Sequence, residues 1–203
     1  MLQNILMLLK RYGHIFFEGM LGTLGLSFVV VLFGTLLGAL VALGKMREKG
    51  ILKMISTVYV EIIRGTPMLL QLYFFYYLGA DMISASLPDG FWVTLALVIN
   101  SSAYVSEIFR SGIQSVDKGQ MEAAKSLGLS DHDSMRHIIF PQAIKNILPA
   151  LGNEFVTMIK ETSLASIFFI NSLMTSEAIV SSTTHLKIEA LTIVGVIYFV
   201  LTY

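Results

Sequence analysis

The side chains able to do chemistry in this chain are few, and most stand inside apolar runs. Glu61 and Arg64 are three residues apart, as are Glu107 and Arg110. That spacing puts each pair on one helical face, where it can neutralise itself near a helix end. Asn100 is a lone strong hydrogen-bonding side chain within its run, followed by Ser101 and Ser102. It either bonds a neighbouring helix or lines a solute path. Lys160 and Glu161, with Thr162 and Ser163, interrupt another run. Adjacent helical positions point about 100° apart, so one of the two can meet a charged neighbour while the other faces a cavity. In Gly65-Thr66-Pro67 the proline breaks helical hydrogen bonding and frees backbone groups able to hold a zwitterion, unless the kink serves packing alone. Ionised groups in a bilayer cost a few kcal/mol or more, so they face partners or cavities. The chemistry on offer is the binding of a charged or zwitterionic solute.

Catalysis finds little support. The four histidines (His14, His132, His137 and His185) are scattered, and no H-E-x-x-H, phosphate-binding loop or nucleophile-elbow pattern occurs. With no cysteine, disulfides, thiolate metal sites and thiol nucleophiles are excluded. No catalytic residue, metal site or cofactor is expected, and any energy from ATP must come through another subunit.

The elements that carry these residues belong to a membrane. Of 203 residues 55% are apolar and 14% charged, with mean hydropathy +0.72, whereas soluble domains run to about 25% charged residues. The fold class expected is all-α integral membrane. Formal net charge is zero, which favours neither nucleic acid nor an anionic surface as partner. No cleavable signal is expected, since the first apolar run is too long and lacks a basic segment before it.

Residues 1–20 are broken by Lys10, Arg11, His14 and Glu18, which suits a helix lying in the interface. Leu21 to Leu43 reads as a first span, with Gly22, Gly25, Gly34 and Gly38 allowing close helix approach. A basic loop with Lys45, Arg47, Lys49 and Lys53 leads to a second span from Ile55 to Gly79, kinked or opened at Pro67. An acidic loop with Asp81, Pro88 and Asp89 precedes a third span from Phe91 to Ile108. Residues 110–146 form a long polar connection, and Ile147 to Ile170 a fourth span carrying Glu154, Lys160 and Glu161. A polar stretch from Asn171 to His185 leads to a last apolar run, Ile188 to Tyr203. Its sixteen residues fall short of the roughly 20 a crossing needs, so the sequence is expected to stop inside that helix. Residues 1–203 read as one membrane domain, without internal repeats.

Placing the first basic loop inside the cell puts nine of the lysines and arginines on the cytoplasmic side, leaving Lys10, Arg11 and Lys187 outside. The N-terminus is then outside, the C-terminus inside and the long connection cytoplasmic. Within that connection Asp117 to Leu127 is rich in helix formers, with Met121, Ala124 and Leu127 on one narrow apolar face. Gly128 can end the helix in the left-handed conformation, and Ser130 with Asp133 reads as the capping pair of the next. Two short helices with a tight turn and a shallow alanine-lined dent are expected, a shape a partner protein can fill.

The pattern Glu122-Ala123-Ala124, three residues, Gly128, nine residues, Ile138-x-Phe140-Pro141 resembles the cytoplasmic coupling loop of ABC-importer permeases, with Phe140 where Leu is usual. Three further segments resemble permeases of the polar amino-acid uptake family, the histidine, glutamine, arginine and cystine type. They are Glu61 through Leu72; Ala103 through Ile113, running on through Lys118-Gly119-Gln120; and Pro141-Gln142-Ala143 with Leu148 to Leu151 and Lys160 through Ala165. The resemblance implies a permease protomer with five membrane helices in a bacterial cytoplasmic (inner) membrane, paired with a second, identical or related permease subunit. It implies a cytoplasmic ATPase subunit docked on Glu122, Ala123, Ala124 and Gly128, and an extracytoplasmic solute-binding protein that delivers an amino acid. Thr66, Asn100 and Glu161 are the candidates for the solute path.

Two other readings stay open. One keeps the importer and changes the solute, to an opine or another small polar metabolite. The other is an ion-coupled carrier or channel, although the odd span count and the long polar connection fit it poorly. A membrane-bound enzyme is weaker still.

Overall fold

In a computed structural model the chain is all-helical among the described residues, which are 1–82 and 87–203, with side chains described to residue 79 and from residue 87 onward. In order these are α1 (Leu2–Lys45), α2 (Ile51–Gly65), α3 (Met68–Met82), α4 (Asp89–Gln114), α5 (Lys118–Ser126) and α6 (Asp131–Ser134). A π-helical turn (Met135–Ile139), α7 (Phe140–Glu161), a 3₁₀ segment (Thr162–Phe168), α8 (Leu173–Thr184) and α9 (Lys187–Thr202) complete the chain.

Several boundaries differ from the sequence reading. No break separates residues 1–20 from the first span, because α1 runs through Lys10, Arg11, His14 and Glu18 without interruption. Lysine, arginine and glutamate are good helix formers, and a change of polarity alone does not end a helix. The second span does open where Pro67 lies: α2 ends at Gly65 and α3 begins at Met68. The polar stretch after residue 170 forms a helix, α8. Ser172 caps α8 by accepting a bond from the Thr175 amide, and Thr175, Ser176, Glu177 and Ser181 are buried in it. The acidic turn expected near Asp81, Pro88 and Asp89 falls partly on residues 83–86, outside the described residues, while Asp89 opens α4.

By length and composition α1 and α4 can each cross a bilayer, and the bent pair Asp131–Phe168 with Leu173–Thr184 makes a third if it is one span. The break at Thr66-Pro67 cuts another apolar stretch into α2 and α3, of 15 residues each, shorter than the roughly 20 of a full crossing.

The chain divides into two units. One comprises residues 1–32, 66–98 and 155–203. Its core is apolar. Val30, Leu72, Val93, Ala96, Leu97, Met158 and Phe168 form one cluster, and Leu8, Phe16, Leu173, Val180, Ala190 and Ile193 another. Burying such side chains stabilises the unit by about 1.5–3 kcal/mol each where the alternative is water, and by dispersion and shape fit where it is lipid. Gly22 meets the Asn171 carbonyl so closely that a β-carbon would fall 2.6 Å from it, which is the tight approach expected of that glycine.

The other unit comprises residues 33–65 and 99–154. Its interior is built of small and polar groups: Asn100, Ser101, Ser102, Ala103, Val105 and Ser106 of α4 are all buried. Gly38 lets α1 lie against Ser102 and Val105, since a β-carbon there would sit 2.7 Å from both. Across from them, the Tyr59 hydroxyl of α2 donates to the Ile99 carbonyl at 2.9 Å and also bonds the Ser102 hydroxyl.

Candidate functional site

The corner after α4 is built by three caps. Asp117 accepts a hydrogen bond from the Gly119 amide at 2.7 Å and starts α5. At the other end the amides of Gly128 and Leu129 donate to the carbonyls of Lys125 and Ala124, at 2.9 and 3.2 Å. Gly128 has φ +84°, the left-handed value at which glycine carries no penalty. Ser130 then accepts from the Asp133 amide at 3.1 Å while its hydroxyl donates to the Asp133 carboxylate at 2.6 Å, opening α6. The two short helices and the tight turn lie where caps and glycine place them.

The packed face of α5 is narrower than its spacing implies. Ala124 is buried at 4% exposure and Met121 is partly buried, but Leu127 is 84% exposed. Leu127 is the residue after the last helical turn, with ψ near 4°, so the chain beyond it turns off the helix axis and leaves its side chain uncovered. Glu122, Ala123, Leu127 and Gly128 are all exposed. The corner therefore presents one large apolar side chain beside a small one.

That corner is tied to the elements on either side. α5 packs on the π-helical turn, where Ile139 is buried. The Gln142 amide of α7 donates to Gln120 of α5 at 3.2 Å, and Asn146 of α7 donates to Ser115, just beyond α4, at 2.8 Å. α5 and α7 are thus bonded directly to each other.

The charged residues combine differently from their spacing. Glu107 does pair with Arg110, at 2.8 Å, but it also accepts Lys45 of α1 at 2.6 Å and lies 3.8 Å from Arg64 of α2. Arg64 turns toward this group and stacks over Tyr104, 5.3 Å from the ring centroid. The Glu61–Arg64 pair is accordingly not formed, and Glu61 is exposed, in no ion pair among the described residues. One carboxylate shared by three cations from three helices serves better than an exposed i,i+3 pair, which is worth a few tenths of a kcal/mol.

The solute-path candidates are spread over the chain. Thr66 lies between α2 and α3, where its hydroxyl and carbonyl accept from Gln71 at 2.8 and 3.2 Å. Asn100 is buried halfway along α4. Glu161 ends α7, partly buried, next to an exposed Lys160. Two buried acids have clear partners: Glu154 accepts the Ser101 hydroxyl at 2.8 Å, and Glu177 accepts the Lys187 ammonium at 2.9 Å. No group of three or more His, Asp or Glu residues able to hold a metal ion occurs among the described residues.

A profile of the binding-protein-dependent transport system inner membrane component family matches residues 34–203. The chain belongs to this family. A putative glutamine transport system permease protein of Rickettsia conorii is 39% identical over 196 residues, 96% of this chain and 90% of the relative. An arginine transport system permease protein of Bacillus subtilis is 38% identical over 185 residues, 91% of this chain and 84% of the relative. The crystal structure of an amino acid ABC transporter with histidines superposes with a TM-score of 0.91 at 45% identity, over 96% of this chain and 90% of that one. An inward-facing methionine ABC transporter, at 17% identity and a TM-score of 0.75, shares the fold.

This inner-membrane component thus has the ABC permease fold, and the matched region includes the whole α5–α6 corner. Two features of it escaped sequence reasoning. The Ser101–Glu154 bond joins residues 53 positions apart, and nothing local announces it. The exposure of Leu127 follows from Gly128 ending the helix one residue later, a signal that was present in the sequence.

Proposed function

We propose that this chain is one protomer of a permease pair that carries a polar amino acid across a bacterial inner membrane, driven by a separate cytoplasmic ATPase and fed by an extracytoplasmic solute-binding protein. The observation that carries the reading is the α5–α6 corner. Its helix is capped at both ends, its outer surface carries Ala123 and Leu127, and its inner side is bonded to α7 through Gln120 and Gln142. A surface of that kind suits a partner that grips and moves it, and α7 leads on to Glu154 and Glu161. Glu122, Ala123 and Gly128 are assigned the coupling role at this exposed surface, with the buried Ala124 seating the helix beneath them, and Thr66, Asn100 and Glu161 the solute path.

The proposed span set is five: α1, the α2–α3 pair, α4, α7 with its 3₁₀ extension, and α9. Residues 1–203 make one permease domain, with residues 110–146 on the cytoplasmic side, the N-terminus outside and the C-terminus inside. Polar amino acids as cargo rest on the glutamine and arginine permeases among the relatives. A second cargo class has its own support, since a nopaline transport system permease protein of Agrobacterium fabrum is 38% identical over 89% of this chain. An opine is an amino-acid conjugate, and the same path can serve it.

The test is co-expression with candidate ATPase subunits and purification through a tag on this chain, wild type beside Gly128→Asp. The expected result is an ATPase retained by the wild type and lost in the variant. A well-folded chain that retains no ATPase from any candidate overturns the reading and restores the ion-coupled carrier. Reconstituted with its partners, the wild type should show ATP hydrolysis stimulated by binding protein loaded with amino acid or with opine, and that comparison separates the two cargoes.

A further inference from the structure

The basic turn between α1 and α2 does more than mark a side of the membrane. Its four cations are not equivalent. Lys45 is turned inward to Glu107 at 2.6 Å, while Arg47, Lys49 and Lys53 are exposed. Lys53 spends one donor on the Glu48 carbonyl at 3.2 Å, and Lys49 forms no ion pair among the described residues. Beside them runs an open, mostly apolar groove of about 460 Å³, lined by Glu48, Lys49, Gly50, Lys53, Met54, Thr57 and Val58. The first turn of α2 carries no acidic residue, so its free amides add positive potential there.

The flank of the groove is apolar on the outside. Ile51, Met54, Ile55, Val58 and Ile62 are each at least half exposed, and their spacing puts them on one stripe of α2, opposite the buried Val60. A ligand that joins a hydrocarbon chain to an anionic group can meet both the apolar lining and the lysines Lys49 and Lys53. We propose that this groove binds an anionic phospholipid, with its phosphodiester between Lys49 and Lys53 and an acyl chain along Met54 and Val58. Basic pockets beside membrane helices hold acidic headgroups in this way, each cation adding about a fivefold preference at the surface. A second copy of the chain fits worse, because two α2 stripes laid together bring their lysines into repulsion. A free phosphate leaves the apolar lining unused.

The test uses the purified full chain in detergent, given equal amounts of dioleoyl phosphatidylglycerol and dioleoyl phosphatidylcholine, with retained lipid read by native mass spectrometry. Wild type is expected to retain the anionic lipid by at least about fivefold over the zwitterionic one. Lys49→Gln with Lys53→Gln should bring the ratio close to one, while Arg136→Gln with Lys145→Gln, the same charge change elsewhere, should leave it unaltered. Val58→Trp, which fills part of the groove and keeps both lysines, should also lower retention. All variants are compared at matched thermal midpoints, so that loss of fold is not read as loss of site. Equal losses in both charge variants overturn the proposal in favour of diffuse charge. Full displacement by glycerol 3-phosphate points to a soluble phosphate site, and a dimer dispersed by Val58→Trp without a change in lipid ratio points to a second copy. Either result overturns it too.

Discussion

The α5–α6 corner and the polar interior of α4 use similar small and polar residues to opposite ends. In the corner the capping groups close bonds within a few positions of themselves: Asp117 to Gly119, Ser130 to Asp133, Gly128 to Lys125. Along α4 the partners come from other helices, as in Ser101 with Glu154, Ser102 with Tyr59, and Glu107 with Lys45 and Arg64. The first arrangement shapes a surface and leaves it free to be gripped. The second joins four helices, α1, α2, α4 and α7, where apolar clusters are few.

The comparison breaks most visibly at Glu107. Its side chain is 17% exposed and that of Lys45 is 14%, so removing the carboxylate leaves partly buried cations facing one another. Glu107→Ala is expected to cost about 3 kcal/mol, in the range for breaking a buried ion pair from one side. The readout is the thermal midpoint in detergent, and exchange of the pair (Lys45→Glu with Glu107→Lys) should recover part of the loss. An unchanged midpoint in Glu107→Ala would show that water already screens the group and that α4 does not depend on it.

The Ser101–Glu154 bond is next. A hydrogen bond to a buried carboxylate contributes about 1.5–3 kcal/mol, so Ser101→Ala should destabilise by about that amount and Glu154→Gln by less, since an amide still accepts. If Ser101→Ala proves neutral, the carboxylate is held by its other contacts, and α4 and α7 are coupled by something else.

These two regions also explain how much could be read beforehand. The corner was legible because its information is local: cap residues, a glycine and a short helix are written within eighteen positions of one another. So was the opening at Thr66-Pro67, where one residue lacks a donor. The arrangement about Glu107 was not, since Arg64 has a plausible partner three residues away in Glu61 and takes a different one 43 residues on. The helical state of residues 173–184 was missed for a related reason. Its serines and threonines look like loop residues, and only the surroundings in which they are buried make them helix.

Gly128 tests the local arrangement. An alanine there must adopt φ near +84° and should cost about 1–2 kcal/mol, and Ser130→Ala about 1 kcal/mol through loss of the cap. Both are smaller than the loss at Glu107 because the corner is exposed and can rearrange. Hydrogen exchange of the amides from 123 to 135 is the suitable measurement. Fast exchange confined to the corner, with α4 unchanged, is expected, and a spread into α4 would mean that the two regions are not independent.

Leu127 sharpens the contrast furthest, because its stability effect should be the smallest. At 84% exposure it touches little, and Leu127→Asp should shift the unfolding free energy by no more than about 0.5 kcal/mol. If the corner is the grip for the ATPase, the same substitution removes the largest apolar projection from that surface and places a charge where a partner must desolvate it. Capture of the ATPase should then fall at least tenfold while the thermal midpoint stays where it was. Ala123→Asp, on the same surface, should behave alike, and Lys145→Gln, on α7 outside the corner, should do neither. Capture undiminished in Leu127→Asp would mean that the partner reads the backbone of the turn at Gly128 and leaves the leucine in solvent, and Gly128→Asp would then be the variant that keeps its effect.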